Sequence, residues 1–239
     1  MKRFYKAAAV EEVDGGFGIS LDGRPVRTPA RAALRVPSRA LAEALCEEWN
    51  AQGETVDPRS MPLTQLANTA VDRMPAARRE TVAELVRYGE TDLLCHRAER
   101  PGTLADRQEA VWQPLLDRLQ SRHGIALRAV SGMLPQPQDP HSMARLERVV
   151  GACGDFELTA LHLATTSAGS IAIGLAAIEG DIAAGQAAEA AFLDECYQIE
   201  RWGADAEAEA RLSQGRDDIA LAYRFAALLR ARTGASRQP

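Results

Sequence analysis

At 239 residues the chain has room for one large or two modest domains, and 46% hydrophobic content excludes a disordered chain. A net charge of −5 argues against a general nucleic-acid binder, and aromatic residues at 5% leave Leu, Ala and Val to fill the core. Cys46, Cys95, Cys153 and Cys196 show neither CxxC nor Cys/His ligand spacing, so they read as reduced, core-type thiols.

The opening MKRFYKAAAVEEV has no apolar stretch before its acids and is expected to be neither a secretory signal nor a transit peptide. Residues 1–37 read as β-structure. Phe17, Ile19 and Leu21 alternate with Gly18 and Ser20, the period of a half-buried strand. Asp14-Gly15-Gly16 and Asp22-Gly23 are turn chemistry on either side, and Leu34 and Val36 predict a further short strand. Ser38 is a fitting N-cap for a helix ending near Gly53, with Leu41, Leu45 and Trp49 on its sheet-facing side. Pro62 suits the first turn of the next helix, whose stripe is Leu63, Leu66, Ala67, Ala70, Val71 and Met74. Pro75 is a hinge candidate, which sets an α+β domain at 1–75 and a helical bundle domain at 76–239.

The second part reads as helical throughout. Val82, Leu85, Val86, Gly89 and Leu93 share a face; Thr103 is placed as the cap of a helix that passes Trp112, bends at Pro114 and stops at Gly124. Residues 125–129 alternate too briefly to assign, 131–140 form a Pro-rich loop, and a short helix covers 143–150. The stretch that opens at Asp155 is nearly uncharged between Glu157 and Glu179, long enough to raise a membrane span. Its Thr, His and Ser residues, the lack of flanking Lys or Arg, and the break offered by Gly169-Ser170 favour two core helices instead. A further helix from Asp205 is expected to break at Gly215, and the closing TGASRQP to fray.

Chemistry is sparse. There is no GxGxxG and no GxxxxGK[ST], so no nucleotide or other cofactor is expected. Cys95-His96 is a weak nucleophile–base candidate, since chain neighbours point in different directions; a core thiol beside a surface imidazole is the commoner case. Glu90 and Asp92 sit near a helix end without further ligands, so no metal is expected. Charge is more informative. Residues 2–39 carry eight bases and four acids, whereas 179–209 carries nine acids and one base, Arg201. On a wheel for 185–203, Ala188, Phe192, Cys196 and Ile199 form an apolar arc, Leu193 and Tyr197 flank it, and Glu189 and Glu200 project between. A partly desolvated Glu200 needs a partner: an internal Arg is the commoner outcome, and a partner protein's Arg, with Trp202 as exposed apolar contact, is the alternative.

Several long stretches resemble a family of ATP synthase assembly chaperones. They are LDGRPVRTPAR (21–31), EEWNAQGETVDPRSMPLTQLANTAVDR (47–73), YGETDLLCHRAERPGTLADRQEAVWQPLLDRL (88–119), the ATTSAGSIAI run, and LDECYQIERWGAD (193–205). His96 and Arg118 depart from the family's pattern. The resemblance implies a small N-terminal α+β domain with a short antiparallel sheet, then a larger helical bundle. It implies an ATP-independent chaperone, a monomer when free, that holds the F1 alpha subunit until it pairs with beta and inserts in no membrane. Lacking a presequence, it would be a bacterial version acting in the cytoplasm. Glu189, Glu195, Glu200, Trp202 and Asp205 are the expected partner-binding residues; Leu41, Leu45 and Trp49 are structural. Two other classes stay open, a scaffold with another client and an enzyme using Cys95 and His96 or the Glu90/Asp92 pair.

Overall fold

The computed structural model describes residues 2–99, 102–131, 136–203 and 205–231. Strand β1 (Ala8–Val13) turns into β2 (Gly16–Leu21) with Val10 opposite Ile19. Strands β3 (Arg24–Pro25) and β4 (Arg35–Val36) share the other edge of β2, β3 on Ser20 and Leu21, β4 on Phe17 and Gly18. All these pairings are antiparallel. Ile19 and Leu21 are buried, while Phe17 is half-buried with the Arg39 guanidinium 5.1 Å from its ring.

Ser38 caps α1 (Arg39–Asn50), its hydroxyl accepting from the Leu41 amide at 3.2 Å. Leu41 and Leu45 are fully buried. Trp49 is half-buried, edge-on to Tyr5 at 5.7 Å between ring centres, and its carbonyl accepts from the Tyr5 hydroxyl. Helix α1 also starts its successor. The Glu48 carboxylate accepts from the Leu63 and Thr64 amides, both at 2.8 Å, and so caps α2 (Pro62–Asp72), whose own N-terminal residue Met61 offers no side-chain acceptor. Helix α3 (Met74–Glu90) begins one residue beyond Arg73, and Pro75 falls in its first turn, where no amide hydrogen is required.

After a 3-10 turn at Leu93–Cys95 come β5 (His96–Arg97) and α4 (Gly102–His123). Thr103 is not the cap of α4. The helix already includes Gly102, and the Thr103 hydroxyl lies 2.7 Å from the Tyr197 hydroxyl instead. Ile125 and Leu127 are buried between exposed neighbours, and β6 (Val130–Ser131) then pairs in parallel with β5, a two-residue addition to the helical part. Residues 132–135 of the Pro-rich loop lie outside the described residues, as do the residues 233–239 expected to fray.

Asp139 caps α5 (Pro140–Ala152) by accepting from the Ser142 amide. The apolar run forms α6 (Asp155–Ala168) and α7 (Ile171–Ile178), separated by Gly169 at φ 67° and by Ser170, the N-cap of α7. No helix of the described residues is long and apolar enough to cross a membrane. Close approach explains the small residues: a Cβ at Gly174 would lie 2.3 Å from Thr165 Oγ1.

Three helices follow, α8 (Ala184–Ala191), α9 (Leu193–Trp202) and α10 (Ala206–Arg230). Helix α10 runs through Gly215 unbroken, against expectation. The Phe192 ring rests on that glycine, where an added Cβ would meet ring Cζ at 2.4 Å, so the residue makes room rather than ending the helix. The described residues group into two compact units, one within 1–78, 154–160 and 224–239, the other within 79–153 and 161–223. Sheet, α1 and α2 belong to the first, and the site considered next to the second.

Candidate functional site

The wheel for 185–203 assumed one straight helix. The chain instead breaks at Phe192 (φ −109°, ψ 22°), between α8 and α9. The break turns α9 so that Leu193 and Tyr197 are its buried pair, while Cys196 and Ile199 are half-buried and Glu200 is exposed. The expected apolar arc is thereby split, and its α9 members face a groove. Cys196, Ile199 and Glu200 form one wall; Glu209, Leu212 and Arg216 of α10, at i, i+3 and i+7, form the other. The groove holds about 460 Å³ and is open to solvent. Arg216 reaches across it to Cys196 Sγ at 3.5 Å.

Glu200 is not desolvated. Its carboxylate pairs with Arg107 of α4 at 2.7 Å, and the two side chains stay 57% and 51% exposed. Arg107 and Arg201 both lie over the Tyr197 ring, at 5.2 and 4.8 Å. A pair this exposed contributes about 0–1 kcal/mol and still leaves the carboxylate accessible. Two residues on, Trp202 is 76% exposed, one of two large apolar side chains so exposed among the described residues.

The other acids are distributed by the fold. Glu195 is half-buried on α9. Asp205 caps α10, accepting from the Ala208 amide at 2.7 Å. Glu189 is exposed on α8 and lines a different depression, beside Pro114, Ile182 and Gln186, so the structure does not bring it to the Glu200 groove. Sequence reasoning missed Glu209, Leu212 and Arg216. Their spacing marks a helix face, but only the packing shows that it is turned toward α9.

The residues considered for catalysis have structural surroundings. Asp92 is no open cation ligand: it is fully buried, and its carboxylate accepts from the Leu94 amide (3.0 Å), the Ser170 hydroxyl (2.7 Å) and the Ile171 and Ala172 amides (2.8 and 3.2 Å). It thus caps the 3-10 turn and α7 together. Burial pushes its carboxyl up, and the four donated hydrogen bonds pull against that shift. Glu90, two residues away, is exposed. Cys95 is buried, and desolvation raises its thiol to about 12, so the nucleophilic thiolate is disfavoured; His96 is exposed.

Comparison with known proteins adds an independent line. The family profile described as "ATP12 chaperone protein" matches residues 2–120. Protein atp12, mitochondrial, of Schizosaccharomyces pombe is 25% identical over 214 residues, covering 84% of this chain and 74% of that protein. Among solved structures, Atp12 from Paracoccus denitrificans superimposes with a TM-score of 0.93 at 40% identity, over 96% of this chain and 98% of that one. An aspartate-to-lysine mutant of the same Paracoccus protein gives the same values. A chaperone-class protein from Agrobacterium tumefaciens matches with a TM-score of 0.89 at 37% identity, over 95% and 86% of the two chains.

Proposed function

The chain belongs to the ATP12 chaperone family, and from that premise we propose that it assists assembly of the F1 sector of ATP synthase by holding the free alpha subunit until beta displaces it. The observation that carries the client site is Trp202: a tryptophan 76% exposed at the end of an acidic helix, two residues beyond a groove whose walls mix apolar and charged side chains. Exposed tryptophan beside carboxylates suits the centre of a protein contact. An unpaired alpha subunit presents apolar surface meant for beta, and covering it requires shape and charge but no chemistry. Glu200 would exchange its exposed partner Arg107 for a client cation, Trp202 would supply contact area, and Glu195, Glu209 and Asp205 would extend the negative field. Glu189 would act from its separate place on α8. Release follows when beta competes for the same client surface. The protein would work in the bacterial cytoplasm, as a monomer and without a nucleotide.

The test is co-expression with alpha and beta subunits, separately, scoring which one stays soluble. Rescue of alpha by wild type, lost with Glu200→Lys or Trp202→Ala in chaperones that melt normally, supports the reading. Rescue of alpha by both variants moves the client site elsewhere, and failure of wild type to keep alpha soluble removes the client itself.

A further inference from the structure

The sheet unit carries a feature that the client groove does not use. Arg24, Arg27, Arg31 and Arg35, four arginines within 24–35, are all exposed, and none makes an ion pair among the described residues. The loop between β3 and β4, which bears Arg27 and Arg31, is tied down by hydrogen bonds. The Asp72 carboxylate of α2 accepts from the Thr28 hydroxyl at 2.5 Å and from the Ala30 amide at 3.0 Å. Thr28, itself buried, accepts on its hydroxyl from the Ala32 amide and donates its own amide to the Ala32 carbonyl. Arg31 takes a left-handed backbone at φ 68°, and its carbonyl receives the Arg27 guanidinium at 2.9 Å. A non-glycine residue keeps that conformation only where its surroundings over-determine it.

Beside the loop is a concavity. Glu11, Gly18 and Arg35 lie in one row across β1, β2 and β4, and the missing side chain at Gly18 leaves a depression of about 220 Å³. Val13, Pro25 and Ala33 give it apolar walls, and Arg27, Arg35 and Glu11 stand at its edge.

We propose that this surface docks an acidic segment of a partner protein, one small apolar side chain entering the depression over Gly18 while flanking carboxylates pair with Arg27 and Arg35. Charge selects the occupant, because Arg27 and Arg35 stand at an edge that carries one carboxylate, Glu11, and the exposed Arg24 and Arg31 belong to the same twelve-residue stretch. The apolar walls favour a peptide over a nucleic acid, and the hydrogen-bonded loop means little ordering is needed on binding.

The experiment probes the full-length protein with an array of peptides of about twelve residues, in acidic, neutral and basic sets, each varying one central apolar residue. Vesicles of mixed zwitterionic and anionic phospholipid and a single-stranded oligonucleotide are titrated in parallel. Binding to the acidic set is expected, falling about tenfold or more in Arg24→Glu/Arg35→Glu and on raising salt to about 0.5 M. Both side chains are exposed and neither forms a side-chain hydrogen bond or ion pair among the described residues, so this variant should fold normally, which its melting curve checks. Arg27→Ala is the second variant and should weaken the same peptides. Equal binding of neutral or basic peptides, undiminished binding by the double variant, or tighter binding of vesicles or oligonucleotide than of any peptide overturns the proposal.

Discussion

Asp92→Ala should be the most damaging single change short of emptying the core. The substitution leaves four buried donors without an acceptor: the amides of Leu94, Ile171 and Ala172 and the hydroxyl of Ser170. Each unsatisfied donor costs about 1–3 kcal/mol, and loss of a helix cap alone costs about 1. Partial relaxation and water entry reduce the sum, so the loss should be about 3–5 kcal/mol. With a urea m-value of about 2 kcal/mol/M, the unfolding midpoint followed by circular dichroism should fall by roughly 2 M. Asp92→Asn keeps the shape and one acceptor oxygen but presents an NH2 group to a donor, so its loss should be intermediate. A midpoint shift below about 0.5 M for the alanine variant would refute the reasoning, because it would mean that the donors find other acceptors.

Gly174→Ala should destabilise by about 1–3 kcal/mol in the same assay, since the Thr165 contact outweighs the helix-propensity gain of about 1 kcal/mol; a more stable variant would show that α6 and α7 separate freely. In the folded protein at about pH 8, Cys95 and Cys46, whose thiols burial raises to about 12 and about 11, should resist alkylation while half-buried Cys196 reacts, as mass spectrometry of digests will show. Glu200→Lys should leave the melting temperature nearly unchanged, because the Arg107 pair it breaks is exposed; a clear drop would make Glu200 a structural residue. Amides of Lys6 and Ala7 hold the Asp22 carboxyl below its ordinary range, and the Ser142 amide does the same for Asp139. A carboxyl depressed in the folded state contributes stability above its unfolded pKa of about 3.9 and loses it as pH falls through the folded value, so Asp22→Asn and Asp139→Asn should flatten the melting-temperature profile below about pH 4.

What the sequence determined by itself were features decided by neighbours along the chain. Alternation at Phe17, Ile19 and Leu21 makes a strand, Ser38 caps α1, Pro62 opens α2, and Gly169-Ser170 divides the apolar run, because turn and cap energetics act over a few residues. The family resemblance was legible for the same reason, as runs of residues in order. Tertiary structure decided whatever depended on a distant partner. Gly215 looked like a break until the Phe192 ring was placed on it, and Asp92 read as a helix-end acid lacking further ligands until the N-terminus of α7 was placed beside it. Glu200 found its cation in Arg107, ninety-three positions away, where no local pattern records the pairing. The kink at Phe192 then chose which face of α9 is buried, and packing of α10 against it made a groove from residues that periodicity alone could only assign to two separate helices.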